Sequence, residues 1–480
     1  MKMWINGEWC DAESGETLFT INPTTNEKLG EVPSADQADV DKAVAAARAA
    51  FPAWSARTQM DRSNVLMKIA GALAAKAQEM AEWDALEHGL PAKLAFGPSM
   101  ASAGNFATAA MLARGINGEL VKVSNPNAMF IMDRVPTGVF ALINPWNMPL
   151  FLMANKVALC IATGNTCVLK PPSCNSIIGL KFAEVMASVP ELPKGVVNVI
   201  TGKGGKMGKL LSAHPDIDGI SFTGATDTGS TIIADAAPTC KKCIMELGGK
   251  NPVIIRPDAN LDAAAEVLTH HQFFNCGQAC GSPGRYYIHE SIMDDFLKVF
   301  LEKAAKYVPG DPMKDGTVMG PLVTTSHLNS VLHYIQTGID EGATLVTGGK
   351  KIEEGELAKG NFLPPTVFTN VTPDMTIYKE EIFGPVAVMT TYTDEEEAVK
   401  LANDNTYGLT ASIWTGNIAR ALKLGRGLTV GTFSINQHNC LGPEVSWGGV
   451  RQSGVGGREG GTCGLLAFLE EKVITISLDE

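Results

Sequence analysis

The spacing of apolar residues along the chain changes several times, and each change marks an element. Met1 to Trp9 alternates apolar and polar residues and reads as a short strand followed by a turn. Ser34, with Gln37 three residues on, has the pattern of a helix start, and the alanine-rich run from Val40 to Phe51 continues it. Leu66, Ile69, Ala70, Leu73 and Ala77 recur at helical spacing within a longer stretch, Arg62 to Glu87. Between Asn117 and Val135 two extended pieces flank Ser124-Asn125-Pro126-Asn127, which predicts a hairpin. Glu471 to Leu478 is strand-like and needs an edge to pair with; the hairpin, in the same chain or in a partner, would supply one.

From Gly138 onward, strand and helix patterns alternate. Val139–Ile143, Cys167–Leu169, Val196–Ile200 and Gly219–Phe222 are fully apolar or nearly so, and Leu150 to Ala162 reads as a helix. This βαβ alternation predicts a parallel sheet covered by helices, with ligands beyond the carboxyl ends of its strands. The residues there are Asn144 to Asn147, Lys170 to Ser173, Thr201-Gly202 and Thr223-Gly224. Gly202 to Gly208 misses a dinucleotide fingerprint because position 207 is Met. Phe222 to Gly229 is better placed: two glycines bracket a helix start, whose free N–H groups suit a pyrophosphate. A second α/β unit spans roughly 249–431, with helices over 261–274, 293–308, 326–341 and 394–403.

Composition narrows the class. At 480 residues the chain exceeds one compact core, and 45% apolar with 19% charged residues is ordinary for a globular protein. A net charge of −12 disfavours nucleic acid and anionic membrane surfaces as partners. Neither a signal peptide nor an apolar run of spanning length is present, so the expected compartment is the cytoplasm. The ten cysteines are scattered, and a large core needs no disulfides. Cys240, Cys243, Cys276 and Cys280 could be drawn as a zinc site, but knuckle turn chemistry is missing and no metal is expected.

The chemistry concentrates in one stretch. Glu246 sits in an apolar, glycine-rich turn, and 34 residues later Cys280 sits in a loop of small residues. A carboxylate and a thiol are an acid/base and a nucleophile, which suits covalent catalysis at a carbonyl.

Eight short pieces, in order, resemble the NAD(P)-dependent aldehyde dehydrogenase superfamily across essentially the whole chain. They are Pro145-Trp146-Asn147, Lys170-Pro171, Phe222-Thr223-Gly224, Glu246 to Asn251, Gly277 to Cys280, Glu381 to Pro385, Tyr407-Gly408-Leu409 and Ser453 to Gly456. The resemblance implies an α/β fold: a Rossmann-like cofactor domain (1–116 and 137–247), an α/β catalytic domain (248–447), and a small β flap (117–136 and 465–480) for oligomerisation. A homodimer or homotetramer is expected.

The resemblance also implies roles. Cys280 would attack the aldehyde, the Asn147 amide and the Cys280 N–H would hold the oxyanion, and Glu246 would activate water against the thioester. Glu246 thereby favours a free carboxylic acid over acyl transfer to coenzyme A. Lys170 would lie at the adenosine ribose, Glu381 at the nicotinamide ribose, and Phe383 near the nicotinamide ring. Ile143, Asn144, Trp146, Ser173, Gly208, Phe222, Thr223, Gly224, Ala225, Leu247 and Gly248 complete the expected cofactor set. Met148, Leu152, Asn155, Phe274, Ala279, Gly281, Cys440, Leu441 and Trp447 would line the aldehyde funnel.

Departures from the family pattern refine this. Ser173 stands where NAD-specific members often carry a Glu that would repel a 2′-phosphate, so NADP should be tolerated. Ala225 removes a side-chain phosphate contact. Cys276, four residues before the nucleophile, raises a regulatory disulfide with Cys280. Asn155, Gly281 and Gln437-His438-Asn439 predict a roomy, polar entrance for a polar aliphatic aldehyde or semialdehyde. A coenzyme-A-acylating enzyme and a catalytically silent binding protein are the alternatives.

Overall fold

The computed structural model describes residues 1–439 and 442–478. Cys440 and Leu441, two of the expected funnel residues, lie outside the described residues.

The alternation of side chains along the fully buried strands builds a sheet covered on both faces. In Val139–Ile143, Phe140 and Leu142 enter one apolar core, and Val139, Ala141 and Ile143 enter the other. Five parallel strands form the centre, in the order Lys242–Glu246, Gly219–Thr223, Val139–Ile143, Thr166–Lys170, Val197–Val199. Chain order therefore reverses between Val139–Ile143 and Gly219–Thr223. Crossovers leave to opposite sides there and open a crevice at the carboxyl ends. Antiparallel strands finish the edges: Gly454–Val455 beside Lys242–Glu246, and Met3–Ile5 with Glu8–Cys10 beyond Val197–Val199.

Five residues after Glu246, at Asn251, the chain enters a second sheet of seven strands. Its parallel core includes Asn251–Ile255, Pro283–His289, Val386–Tyr392 and Thr410–Trp414. A third sheet is the expected hairpin, Glu119–Val121 with Ala128–Pro136, joined by Leu469–Ser477. The last strand pairs within the same chain, Leu469 opposite Pro136 through Ser477 opposite Ala128.

Three local readings change. The first helix is capped by Asp36, not Ser34. Asp36 accepts from the Ala38 N–H at 2.9 Å, and Asp39 accepts from the Asp36 N–H at 3.0 Å, a reciprocal pair of carboxylates. The stretch 62–87 is two helices, Gln59–Ala75 and Ala77–Glu87, broken at Lys76 with no glycine or proline to announce it. Ala92–Ala113, which the sequence pattern did not single out, is a 22-residue helix despite Gly97, Pro98 and Gly104. Packing against Gln59–Ala75 and Pro149–Ala162 overrides its poor local propensity.

Candidate active site

The helix Leu261–Phe273 ends at Phe274, and the backbone then runs through three left-handed residues, Asn275 (φ 52°), Cys276 (φ 57°) and Gly277 (φ 69°). Two of these carry side chains, which costs roughly 1–2 kcal/mol each unless other bonds hold them. Those bonds are present. Asn275 Nδ2 donates to the Asn147 carbonyl at 2.7 Å, Gln278 Nε2 donates to the Asn275 carbonyl at 3.0 Å, and the Val323 N–H donates to Gln278 Oε1 at 2.9 Å. Gly277 is required by close approach as well: a Cβ there would lie 2.2 Å from the Gly384 carbonyl. Beyond the turn, Asn251 Nδ2 donates to the carbonyls of Cys280 and Ser282, each at 2.7 Å. Cys280 is thus fixed from both sides, and Asn275 ties Asn147 to the same loop.

Two cavities meet at this loop. One, of about 1170 Å³ and open to solvent, is lined by Met148, Phe151, Leu152, Asn155, Ala279, Gly281, Trp447 and others. The other, of about 820 Å³, is lined by Trp146, Thr223, Gly224, Ala225, Leu247, Gly248, His327, Glu381 and Phe383 among others. Cys280 and Asn147 line both. Among the described residues, nothing hydrogen-bonds the Asn147 amide or accepts from the Cys280 N–H. Burial, and then the carboxylates of Glu381, Glu246 and Glu459, push the Cys280 thiol up to about 12, while the Gly281 N–H works the other way.

Glu246 ends the strand Lys242–Glu246 and is 2% exposed. Neither carboxylate oxygen has a partner among the described residues. Burial, reinforced by Glu459, raises its pKa well above the ordinary value, with Lys156 and Arg458 opposing. Lys156 and Glu459, 1% and 5% exposed, form a buried ion pair. Lys156 Nζ also donates to Ser221 Oγ at 2.9 Å, and Thr223 Oγ1 donates to Glu459 Oε1 at 2.8 Å. Such a pair is sustained by these additional bonds, since two desolvated charges alone would barely repay their dehydration.

The second cavity sits at the crevice where strand order reverses, between Asn144–Met148 and Gly224–Ala225. Ala225 caps the helix Thr226–Ala236 without any side-chain hydrogen bond, so that helix start keeps free N–H groups. At the other end Glu381 Oε1 accepts from the Gly249 N–H at 3.0 Å, and enclosure in the cleft raises its carboxyl to about 7. Phe383 is left-handed (φ 57°); His327 Nε2 donates to its carbonyl at 2.8 Å, and the Trp146 ring stands edge-on to it at 5.3 Å. Past the cavity, Lys170 Nζ donates to Ser173 Oγ at 3.3 Å, and Ser173 Oγ donates to the Gly202 carbonyl at 2.9 Å. Both side chains lie within 4.0 Å of where a Gly204 Cβ would be, at the start of the helix Gly204–Ser212.

Most expected positions converge. Of the cofactor set, Trp146, Thr223, Gly224, Ala225, Leu247, Gly248, Glu381 and Phe383 line one cavity. Lys170 and Ser173 form the adjoining site, with Gly208 one turn along its helix. Ile143 and Phe222 instead bury their side chains in the core, at register positions beside Lys170 and Met245. Asn144 is buried with both amide atoms unpartnered among the described residues.

Two expectations are corrected. Phe274 does not line the funnel: it follows the helix end, stacks on His270 at 5.4 Å, and faces a separate groove with Leu94 and Tyr307. Cys276 turns away from Cys280, its thiol donating to the Gly320 carbonyl at 3.1 Å inside the second core. The funnel wall is also richer in carbon than the sequence pattern predicted, because Phe151, Pro443 and Val445 join Leu152 and Trp447.

Residues that escaped sequence reasoning left faint signals. Phe151 lies three and four residues from Met148 and Asn155, on the same helix face. Lys156 is the only charge in the apolar run Leu150–Ala162, and a lone buried cation demands a counter-charge. That partner, Glu459, had no local mark, and the helix expected over 326–341 gave no sign that His327 and Tyr334 would line the second cavity.

Comparison with known proteins matches this geometry to a family. The aldehyde dehydrogenase family model matches residues 9–474. An aldehyde dehydrogenase of Enchytraeus buchholzi is 40% identical over 480 residues, covering 99% of this chain and 95% of that one. Betaine aldehyde dehydrogenase of Bacillus subtilis (strain 168) is 37% identical over 472 residues, covering 98% and 96%. Among solved structures, Staphylococcus aureus betaine aldehyde dehydrogenase in complex with NAD+ superimposes with a TM-score of 0.97 at 33% identity, covering 100% of this chain and 95% of that one. A point mutant of that same enzyme, also in complex with NAD+, bears a BME-modified cysteine. A thiol and a free side-chain amide between two cavities, on a fold matched end to end, therefore have one explanation: the chain belongs to the aldehyde dehydrogenase family and is an oxidoreductase acting on an aldehyde.

Proposed function

We propose that this oxidoreductase converts an aldehyde to the free carboxylic acid, with NAD as hydride acceptor, through a thioester on Cys280. The observation that carries the reading is the position of Cys280 and Asn147 in the wall shared by the two cavities. The aldehyde would enter by the larger one, and the smaller would hold the dinucleotide. Their residues fit a dinucleotide: an uncapped helix start for the pyrophosphate, Glu381 for one ribose, and Lys170 with Ser173 for the other.

The Cys280 sulfur bonds to the carbonyl carbon as its proton passes to water in the solvent-open cavity, and the π pair moves to oxygen. The Asn147 amide and the Cys280 N–H hold that oxyanion. Each such donor is worth roughly 3–4 kcal/mol of barrier. A nicotinamide bound in the smaller cavity would supply the hydride acceptor, and collapse of the oxyanion would then leave the thioester on Cys280. Glu246 then takes a proton from water, the new C–O bond forms, the C–S bond breaks, and the acid leaves. A buried carboxylate of raised pKa is a stronger base than a solvated one, which suits that step. Cys280→Ala should abolish aldehyde oxidation; retention of most activity refutes the assignment. Glu246→Gln should keep a burst of reduced cofactor while slowing steady turnover by roughly 10²–10⁴-fold, and loss of the burst refutes that role.

The substrate we infer is an uncharged aldehyde with an aliphatic body and one polar substituent. Carbon lies along Met148, Phe151, Leu152 and Trp447, and the Asn155 and Asn439 amides offer hydrogen bonds. No Lys or Arg lines the described wall, which disfavours a semialdehyde carboxylate, and its one acid, Glu459, is already paired with Lys156. NADP should be accepted, since no carboxylate stands at position 173. NADP-linked kcat/KM below about 1% of the NAD-linked value, roughly 2.7 kcal/mol, refutes this.

We infer three units, 1–116 with 137–247, 248–447, and 117–136 with 465–480, a division that the three larger sheets support, with Gly454–Val455 reaching back to pair with the first. The third sheet exposes Leu120, Val473 and Ile474, and among the described residues no further strand pairs with the outer edge of Glu119–Val121, so we infer a homo-oligomer built on it. A solution mass of 50.9 kDa would refute that. Among the described residues no helix is long and apolar enough to cross a membrane, in keeping with a cytoplasmic location.

A further inference from the structure

Gly281 follows the nucleophile and poses a specific problem. The Asn439 amide occupies the space a side chain would need, for a Cβ at Gly281 would lie 2.2 Å from Asn439 Nδ2. A larger residue would have to push the Asn439 amide aside, whereas glycine leaves it seated but brings backbone freedom that a nucleophile loop cannot use. Its N–H, moreover, is the group that favours the Cys280 thiolate. Both peptides flanking Gly281 must therefore be held from outside.

Asn251 holds the first, through the Cys280 carbonyl. The second is held by a residue to which the reaction gives no role. His438 is fully buried; its Nε2 lies 2.8 Å from the Gly281 carbonyl and its Nδ1 lies 2.9 Å from Ser412 Oγ. A carbonyl can only accept, so Nε2 carries the proton. Nδ1 then accepts from the Ser412 hydroxyl, whose oxygen in turn accepts from Trp414 Nε1 at 3.3 Å. Every donor has an acceptor in one consistent tautomer. The ring's seat is fixed by Asn436, left-handed at φ 51°, which exchanges hydrogen bonds with the Thr415 backbone at 2.9 and 2.8 Å. Burial lowers the His438 pKa to about 4, and the neighbouring His271 ring stands 5.3 Å away, so the neutral form is the one present at neutral pH.

We propose that His438 is a positioning residue: its Nε2–H clamps the Gly281 carbonyl and thereby aims the Gly281 N–H and the Cys280 thiol between the two cavities. The inference rests on Cys280 being the nucleophile.

The test compares the full-length parent with His438→Phe and His438→Gln. Readouts are the rate of iodoacetamide alkylation mapped to Cys280, kcat/KM for aldehyde, and NAD affinity. His438→Phe should slow alkylation and lower kcat/KM by at least about ten-fold, as loss of alignment at a reacting atom does, with NAD affinity within two-fold. His438→Gln, which restores an N–H at the same reach, should recover to within about three-fold. A parent-like His438→Phe, or a Gln variant no better than Phe, overturns the proposal. Histidine ¹⁵N spectra of the unaltered protein decide independently of any variant: a proton on Nε2 of His438 is required, and one on Nδ1 overturns it. An active Cys280→Ala would instead sink the underlying nucleophile assignment.

Discussion

Gly248→Ala is the sharpest probe of how the cofactor cleft is built. Gly248 is not left-handed, so alanine is tolerated by the backbone. The whole effect is local: the new Cβ would lie 2.3 Å from Glu381 Oε2 and 3.2 Å from its Cδ. Carbon and oxygen cannot approach that closely, and Glu381 must swing away, losing the bond from the Gly249 N–H as well. A hydrogen bond to a charged acceptor is worth about 1.5–3 kcal/mol, and if Glu381 grips a ribose hydroxyl, that loss is roughly 10–150-fold in NAD affinity. Titrating NAD against the fluorescence of the protein, whose Trp146 lines the cavity, measures it. Gly71→Ala is the control, because it lies within the helix Gln59–Ala75 with nothing within 4 Å of its Cβ. A Gly248→Ala protein that binds NAD within two-fold of the parent would refute the placement of Glu381 at the cofactor.

The same carboxylate gives a pH dependence. With its pKa raised to about 7, Glu381 is a full acceptor above that pH and protonated below it, so NAD affinity should weaken as pH falls from 8 to 6; a flat profile in calorimetry counts against it. Lys156→Met should destabilise the fold by roughly 3–5 kcal/mol by stranding the Glu459 charge, seen as a lowered denaturant midpoint. Removing that cation also raises the Glu246 pKa further, moving the acid-side limb of deacylation, where the rate rises as the base deprotonates, to higher pH; an unmoved limb refutes the coupling. Peroxide treatment should yield no Cys276–Cys280 bridge by peptide mass spectrometry, because the Cys276 thiol faces Gly320.

The chain's own pattern determined a good deal. Uninterrupted apolar runs such as Val139–Ile143 had to be strands covered on both faces, since no half-exposed strand tolerates them. Glu246, Cys280, Asn147 and most of the cofactor set were legible because each sits at a strand end or in a tight turn, where local sequence dictates local shape. What tertiary structure decided was everything that depends on approach across the sheets. Phe274 and Cys276 are near Cys280 in sequence, yet the left-handed turn at 275–277 points them elsewhere. Lys156 meets Glu459 across 303 residues, and His438 reaches Gly281 across 157. A buried polar group must find its partner wherever the fold brings one, and sequence spacing carries no trace of a contact made at that range.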